Sequence, residues 1–162
     1  MKIILIGFMG SGKTTVANIL AKKLNLKVIE MDKSILKISK RNNISEIFSL
    51  DGEEQFRDLE TKVVKEISKL NDVIISTGGG IVMKERNRKF LKKGAIFFLK
   101  TSFETLEKRL RDDDIRPLFR DKIKVRKLFD LRQNIYEKWA DYTILTDKKS
   151  INEVINCLIN LL

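Results

Sequence analysis

Gly7-Phe8-Met9-Gly10-Ser11-Gly12-Lys13-Thr14 follows directly on the apolar run Lys2-Ile3-Ile4-Leu5-Ile6 and satisfies G-x-x-x-x-G-K-[ST] at every defined position. Behind it, Val16, Ile19, Leu20 and Leu24 recur at helical spacing. A buried strand, a glycine loop and a helix in that order form the context a phosphate-binding loop needs. Glycines let consecutive backbone N–H groups turn inward on phosphate oxygens, and the helix behind adds its positive end. Lys13 is placed to reach the β- and γ-phosphates, and the Thr14 hydroxyl to ligate Mg²⁺. The alternative, a chance glycine turn, leaves the fit of both flanks unexplained. The stretch implies a nucleoside triphosphate ligand.

Working outward, apolar β-rich runs recur at Lys2–Ile6, Lys27–Met31, Asp72–Ser76, Ala95–Leu99 and Tyr142–Leu145. Helical patterns fill the intervals, the clearest being Phe56, Leu59, Val63, Ile67 and Leu70, and Ile151–Leu162 reads as a closing helix. Strands alternating with helices predict an α/β fold around a mainly parallel sheet. The chain has 162 residues, no repeats and no Pro/Gly-rich linker, so a single domain over 1–162 is expected. The opening Met-Lys-Ile-Ile-Leu-Ile resembles the start of a signal peptide, but its apolar run is short and breaks into the glycine loop; it reads as the first strand.

Composition excludes whole classes of chemistry. There is no histidine and one cysteine, Cys157, so no disulfide, Cys/His zinc site or Ser–His or Cys–His couple is available. Any general base is an Asp, Glu, Lys or Tyr. Cys157 falls on the apolar face of the last helix and reads as a buried small hydrophobe; a lone thiol without an export signal indicates the cytoplasm. The net charge of +11 admits nucleic-acid binding. Yet Lys and Arg are interleaved with Glu and Asp in every segment, which favours a basic solvated surface and small anionic substrates. No apolar stretch is long enough to span a bilayer.

Three further stretches carry chemistry. Glu30-Met31-Asp32 ends the second apolar run, and strand alternation places both carboxylates on one side at its carboxyl end, suited to Mg²⁺ ligation through water and to accepting a hydroxyl proton. Asp32 could equally open the following helix. Thr77-Gly78-Gly79-Gly80 follows the third run, and three consecutive glycines suit a close backbone approach to a ligand, a tight crossover turn being the alternative. Arg111–Lys124 is densely charged, holds the only proline, Pro117, and reads as a lid that excludes water, with Arg116 reaching the phosphates. An ordinary exposed loop is the alternative there.

Taken together, Gly7–Thr14, Glu30-x-Asp32, Ile44-Ser45-Glu46-Ile47-Phe48, Gly52-Glu53-x-x-Phe56-Arg57-x-x-Glu60, Thr77-Gly78-Gly79-Gly80, Arg116-Pro117-Leu118 and Leu131-Arg132-x-x-x-Tyr136 resemble, in order and spacing, the shikimate kinases. The resemblance covers essentially the whole chain. It implies a P-loop kinase fold: a three-layer sandwich in which helices flank a five-stranded parallel sheet of order 2-3-1-4-5. It implies ATP- and Mg²⁺-dependent phosphorylation of the 3-hydroxyl of shikimate, a step of aromatic amino acid biosynthesis. On that resemblance Gly10, Ser11, Gly12, Lys13, Thr14, Thr15, Arg109 and Arg116 hold ATP, and Lys13, Asp32 and Arg116 are catalytic. Asp32, Phe48, Phe56, Arg57, Gly78, Gly79, Gly80 and Arg132 bind substrate within a region spanning 32–60 and beyond. Glu60 orients Arg57, and Thr14 with Glu30 (through water) holds the metal. Arg57 and Glu60, three residues apart on a helix, are expected to meet, and planar guanidinium forks suit the substrate carboxylate.

Two departures stand out. Glu30 takes the place of the family's first aspartate, and one extra residue lies in Lys40-Arg41-Asn42-Asn43, where the family usually has a glycine turn. Trp139 has no functional assignment and is expected to serve packing. Another small-metabolite kinase of gluconate-kinase type and a nucleotide-dependent nucleic-acid-binding protein are the rival readings. The expectation is a monomer acting on a small molecule, with neither nucleic acid nor membrane as partner.

Overall fold

A computed structural model describes residues 1–110 and 121–162. Five strands form one sheet: β1 (Lys2–Ile6), β2 (Lys27–Glu30), β3 (Val73–Ser76), β4 (Ala95–Lys100) and β5 (Tyr142–Leu145). All neighbours pair in parallel, in the order β2-β3-β1-β4-β5. A parallel strand needs a crossover before the next, and helices supply it, so both faces of the sheet are covered. The three central strands accordingly read as unbroken apolar runs. The edge strands β2 and β5 are only partly buried.

Alternation splits the core into two layers. Ile3, Leu5, Ile74, Phe97 and Leu99 face α1 (Lys13–Leu24) and α8 (Ile151–Ile159), meeting Val16, Ala17, Leu20, Val154, Ile155 and Leu158. Ile4, Ile6, Ile75, Ile96 and Phe98 face the other way. There they meet α2 (Met31–Ser39), α3 (Ile44–Leu50), α4 (Gly52–Ile67), α5 (Arg88–Leu91), α6 (Phe103–Leu110) and α7 (Lys122–Trp139) through Met31, Ile35, Ile47, Val63, Leu91, Leu106 and Trp139. Trp139 is thus a core residue.

Several boundaries differ from the sequence expectation. β2 stops at Glu30 and Met31 already opens α2, because Met31 turns inward to bury fully where a strand would have continued. Asp32 therefore lies in the first turn of a helix, and the expected same-side alternation of Glu30 and Asp32 along a strand does not occur. Leu70 falls beyond α4 and is exposed, and the last helix ends at Ile159. Cys157 is half-buried against the α1/α8 layer. Of the expected lid, Arg111–Arg120, including Arg116, lie outside the described residues; Asp121 caps α7, accepting from the Lys124 amide, and Lys122–Lys124 begin that helix.

The extra-residue segment also resolves locally. Lys40 closes α2 in the left-handed region at φ 57°, the conformation a glycine would adopt freely. Asn43 then caps α3, accepting from the Glu46 amide, while Glu46 accepts from the Asn42 amide in return. Arg41 pairs with Asp51 through two hydrogen bonds of 3.0 and 2.7 Å, so the ends of α3 are tied to each other.

At the carboxyl end of β5, Asp147 accepts from the Ser102 amide, the Ser102 hydroxyl (2.7 Å) and the Thr105 hydroxyl (2.5 Å), and so anchors the start of α6. Burial works to raise its pKa, but the hydrogen bonds from Thr105 and Ser102 outweigh it and hold the carboxyl below its ordinary range. A depressed native pKa stabilises the fold above the unfolded value, and that contribution disappears as pH falls through the native one. Asp147→Asn is expected to lower Tm by roughly 2–6 °C at pH 7. The gap to wild type should close as pH drops below about 4; thermal unfolding followed from pH 7 to 3 checks both.

Candidate active site

Every element that carries a candidate residue converges on the carboxyl ends of the strands, where open α/β sheets bind ligands. β1 runs into the glycine loop, in which Gly10 (φ 79°) and Gly12 (φ 91°) occupy the left-handed region and let the chain fold back on itself. A Cβ on Gly10 would also lie 2.8 Å from Leu110 of α6. The loop closes with Ser11 N–H donating to Phe8 O at 3.2 Å. Lys13 is buried, and its ammonium donates to the carbonyls of Gly7 and Phe8, both at 2.8 Å. Thr14 and Thr15, the next two residues, are exposed at the mouth. Arg109 of α6 donates to Gly10 O at 3.1 Å and so borders the same loop.

Thr14 Oγ1 lies 3.3 Å from Ser76 Oγ, at the last residue of β3. Glu30, paired with Ser76 in the β2–β3 register, accepts from Lys33 at 2.6 Å. The hydroxyls of Thr14 and Ser76, with Glu30 at the end of β2 and Asp32 in the first turn of α2, are hard oxygen donors. Mg²⁺ takes few protein ligands and keeps water and phosphate oxygens, so it fits such a set. No cluster of three or more His, Cys, Asp or Glu that could hold a metal occurs among the described residues.

The second half of the site is a buried charge cluster. Arg57 Nη1 of α4 donates to Glu60 Oε2 at 2.5 Å, one turn along, while Nε and Nη2 donate to Glu53 at 3.4 and 3.2 Å. The guanidinium lies over the rings of Phe56 (5.1 Å) and Phe48 (5.9 Å), which pack against each other at 4.6 Å. Arg132 of α7 is buried as well, 5.7 Å above the Phe8 ring. Glu60 is almost completely buried; burial raises its pKa, the Asp32 charge adds to that, and Arg57 and Arg132 oppose it. Burial likewise lowers the pKa of Arg132. Glu60 Oε1 and Arg132 Nε have no hydrogen-bond partner. Arg57 is thus divided between Glu60 and Glu53, while no carboxylate hydrogen-bonds Arg132 among the described residues, and a ligand carboxylate would supply that partner.

The glycine loop lies between the two halves. A Cβ on Gly78 would fall 3.0 Å from Asp32 Oδ1 and 3.1 Å from Glu60 Oε1. One on Gly79 would meet Met9 N at 3.3 Å and Gly7 O at 3.4 Å, and one on Gly80 would fall 2.0 Å from Arg57 Nη1. Lys13, Asp32, Arg57, Gly78–Gly80 and Arg132 are therefore brought around one centre, with Phe48 and Phe56 as its apolar border. Sequence reasoning missed individual parts for Glu53, Ser76 and Tyr136. Tyr136 stands four residues after Arg132 and donates its hydroxyl to Gly79 O; that spacing, read as a helix face, was the available signal. A groove of about 550 Å³ between α2 and α4, lined by Arg41, Asp51 and Leu59 among others, shares none of these residues.

A phosphate-binding loop facing a buried carboxylate receptor across a glycine bridge defines a P-loop kinase of a small anionic metabolite. Comparison with known proteins agrees. The shikimate kinase family model matches residues 9–162. The shikimate kinase of Caldicellulosiruptor bescii is 44% identical over 149 residues, covering 90% of this chain and 86% of that protein. That of Thermodesulfovibrio yellowstonii is 40% identical over 161 residues, covering 97% and 92%. Among solved structures, shikimate kinase from Acinetobacter baumannii in complex with shikimate superposes with a TM-score of 0.92 at 34% identity, covering 99% of this chain and 91% of that one. The Aquifex aeolicus enzyme gives 0.82 at 36% identity, covering 99% and 96%. The chain belongs to the shikimate kinase family.

Gly80→Ala tests the carboxylate receptor. Gly80 has φ −88°, open to alanine, and the displaced atoms are the tip of a side chain. The fold should survive at a lowered Tm while Arg57 is pushed off the buried Glu60. Shikimate affinity measured by calorimetry is expected to fall at least about tenfold, the loss of one charge-assisted hydrogen bond.

Proposed function

We propose that the residues gathered here carry the ATP-dependent phosphorylation of the shikimate 3-hydroxyl in the following roles, within one kinase domain whose substrate-binding region is 32–60. The observation that carries the reading is the Arg57–Glu60–Arg132 cluster: a receptor for one carboxylate, set beside a phosphate-binding loop. Shikimate carries one carboxylate and a hydroxyl that can face the loop.

ATP phosphates take up the N–H groups of Gly10–Thr15, and Lys13 turns its ammonium from the Gly7 and Phe8 carbonyls to the β- and γ-phosphates. Arg109 borders the nucleotide at Gly10. Thr14, and Glu30 through water, would hold Mg²⁺, which would neutralise phosphate charge. Arg57 and Arg132 fix the carboxylate of shikimate, the Phe48–Phe56 pair lies along its ring, and Gly78–Gly80 allow its close approach. The 3-hydroxyl oxygen forms a bond to the γ-phosphorus as the bond from that phosphorus to the β–γ bridging oxygen breaks. The leaving electron pair goes to ADP, and the hydroxyl proton to the Asp32 carboxylate. Arg116 belongs to this proposal as a phosphate contact from the lid, and it lies outside the described residues. Phosphoryl transfer needs alignment and charge neutralisation more than covalent help, which matches a site without a nucleophile.

The chain is read as a monomer with a small-molecule substrate and no nucleic-acid or membrane partner. Among the described residues no helix is long and apolar enough to cross a membrane.

A coupled ADP-release assay with shikimate and gluconate tests the assignment: turnover is expected with shikimate alone, and equal rates with both would sink it. Lys13→Met, folded by circular dichroism, should lose about 10²–10³-fold in kcat, the range for one transition-state contact. Arg132→Ala should weaken shikimate binding by roughly 1.5–3 kcal/mol and leave ATP binding alone; equal loss of both ligands would refute the receptor. Glu30→Gln should raise the Mg²⁺ concentration needed both for turnover and for tight ATP binding, whereas Glu30→Asp stays near wild type.

A further inference from the structure

Tyr136 is completely buried, its ring 5.0 Å from that of Phe98 in the sheet's core layer. A phenylalanine would fill the same space, and a phenol in such surroundings is unfavourable unless its oxygen is hydrogen-bonded. The hydroxyl has its acceptor: it donates to Gly79 O, and the Arg132 charge, one turn earlier on α7, opposes the effect of burial on its pKa. Burial raises its pKa, so it stays a neutral donor.

Gly79 is held from two sides. The position of a Cβ there would lie 3.6 Å from Tyr136 Oη and 3.3 Å from Met9 N of the phosphate-binding loop. The peptide that follows is planar and trans, so its carbonyl and the Gly80 N–H point in opposite directions. With the carbonyl bound to Tyr136, the Gly80 N–H is turned away from α7. Gly80 in turn stands against Arg57.

We propose that Tyr136 is a positioning residue for the phosphoryl acceptor: its hydroxyl fixes the Gly79–Gly80 peptide, aligning the shikimate side of the site against the phosphate-binding loop. The inference rests on the kinase reading above. It assigns Tyr136 no contact with either substrate and no proton transfer. Its effect is directional, because only the acceptor half of the site is aligned through this hydroxyl.

Tyr136→Phe keeps the ring and removes the oxygen. The expected result is a shikimate KM about threefold to tenfold higher, the loss of one hydrogen bond to a backbone carbonyl, with the KM for ATP unchanged. Tyr142→Phe, the other tyrosine and outside the site, should leave both constants alone. A Tyr136→Phe enzyme with wild-type shikimate KM, or with both KM values raised alike, overturns the inference. A wild type inactive on shikimate takes the functional reading and this inference down together. Should the variant not fold, the wild type decides by NMR. The Tyr136 hydroxyl proton is expected to exchange slowly and to shift on adding shikimate but not ATP alone; no shift with shikimate overturns the proposal.

Discussion

Two positive charges and one negative charge in the protein interior are the constraint around which this structure is organised. Arg57, Arg132 and Glu60 are all buried, and burying an ionised group costs several kcal/mol unless its partners are well placed. Each must therefore be held by more than its neighbour in the cluster. Arg57 gains Glu53 and two aromatic faces, Arg132 gains the Phe8 ring, and Glu60 is left with one oxygen unmatched. Removing one member of such a set typically costs about 3–5 kcal/mol, so the cluster is fixed by the fold and not merely tolerated by it. Arg132, to which no carboxylate is bonded among the described residues, is where the proposed substrate carboxylate fits.

The sheet makes that arrangement possible. α4 and α7 approach the same side of β1, β3 and β4, and both bury apolar residues in one layer: Val63 and Val64 from α4, Val125, Phe129 and Tyr136 from α7. Their charged residues are thereby delivered to the carboxyl edge, beside the loop that β1 feeds. Ser76 at the end of β3 sits next to Leu5 in register and hydrogen-bonds Thr14. Nucleotide and acceptor halves are thus built on adjacent strands of one rigid layer, which is the alignment that phosphoryl transfer requires.

The sheet and the phosphate-binding loop were legible in the sequence because each rests on local chemistry. Apolar runs marked all five strands to within one residue, and the glycines with Lys13 and Thr14 define a loop by spacing alone. Asp32 could be read as a strand end or as a helix opening, because the two look alike over three residues; the helix forms, and the decision lay with Met31, whose side chain found its place in the core. Glu53 and Tyr136 were named within their motifs without a role of their own, since their importance comes from what lies opposite in space, Arg57 in one case and Gly79 in the other. The Arg57–Glu60 contact, by contrast, follows from helix geometry and was visible in advance.

Helix α3 is a seven-residue element with one buried residue, Ile47, yet it carries half of the aromatic border of the site through Phe48. Its ends are closed by exposed polar contacts: Asn42 and Asn43 with Glu46, and Arg41 with Asp51. An exposed ion pair such as Arg41–Asp51 contributes about 0.2–1 kcal/mol, comparable to thermal energy, and salt screens it over about 8 Å at physiological ionic strength. The electrolyte around the protein therefore reaches the acceptor pocket by way of this helix, loosening the Phe48 ring as ions accumulate while the buried guanidiniums behind it are shielded from the same ions.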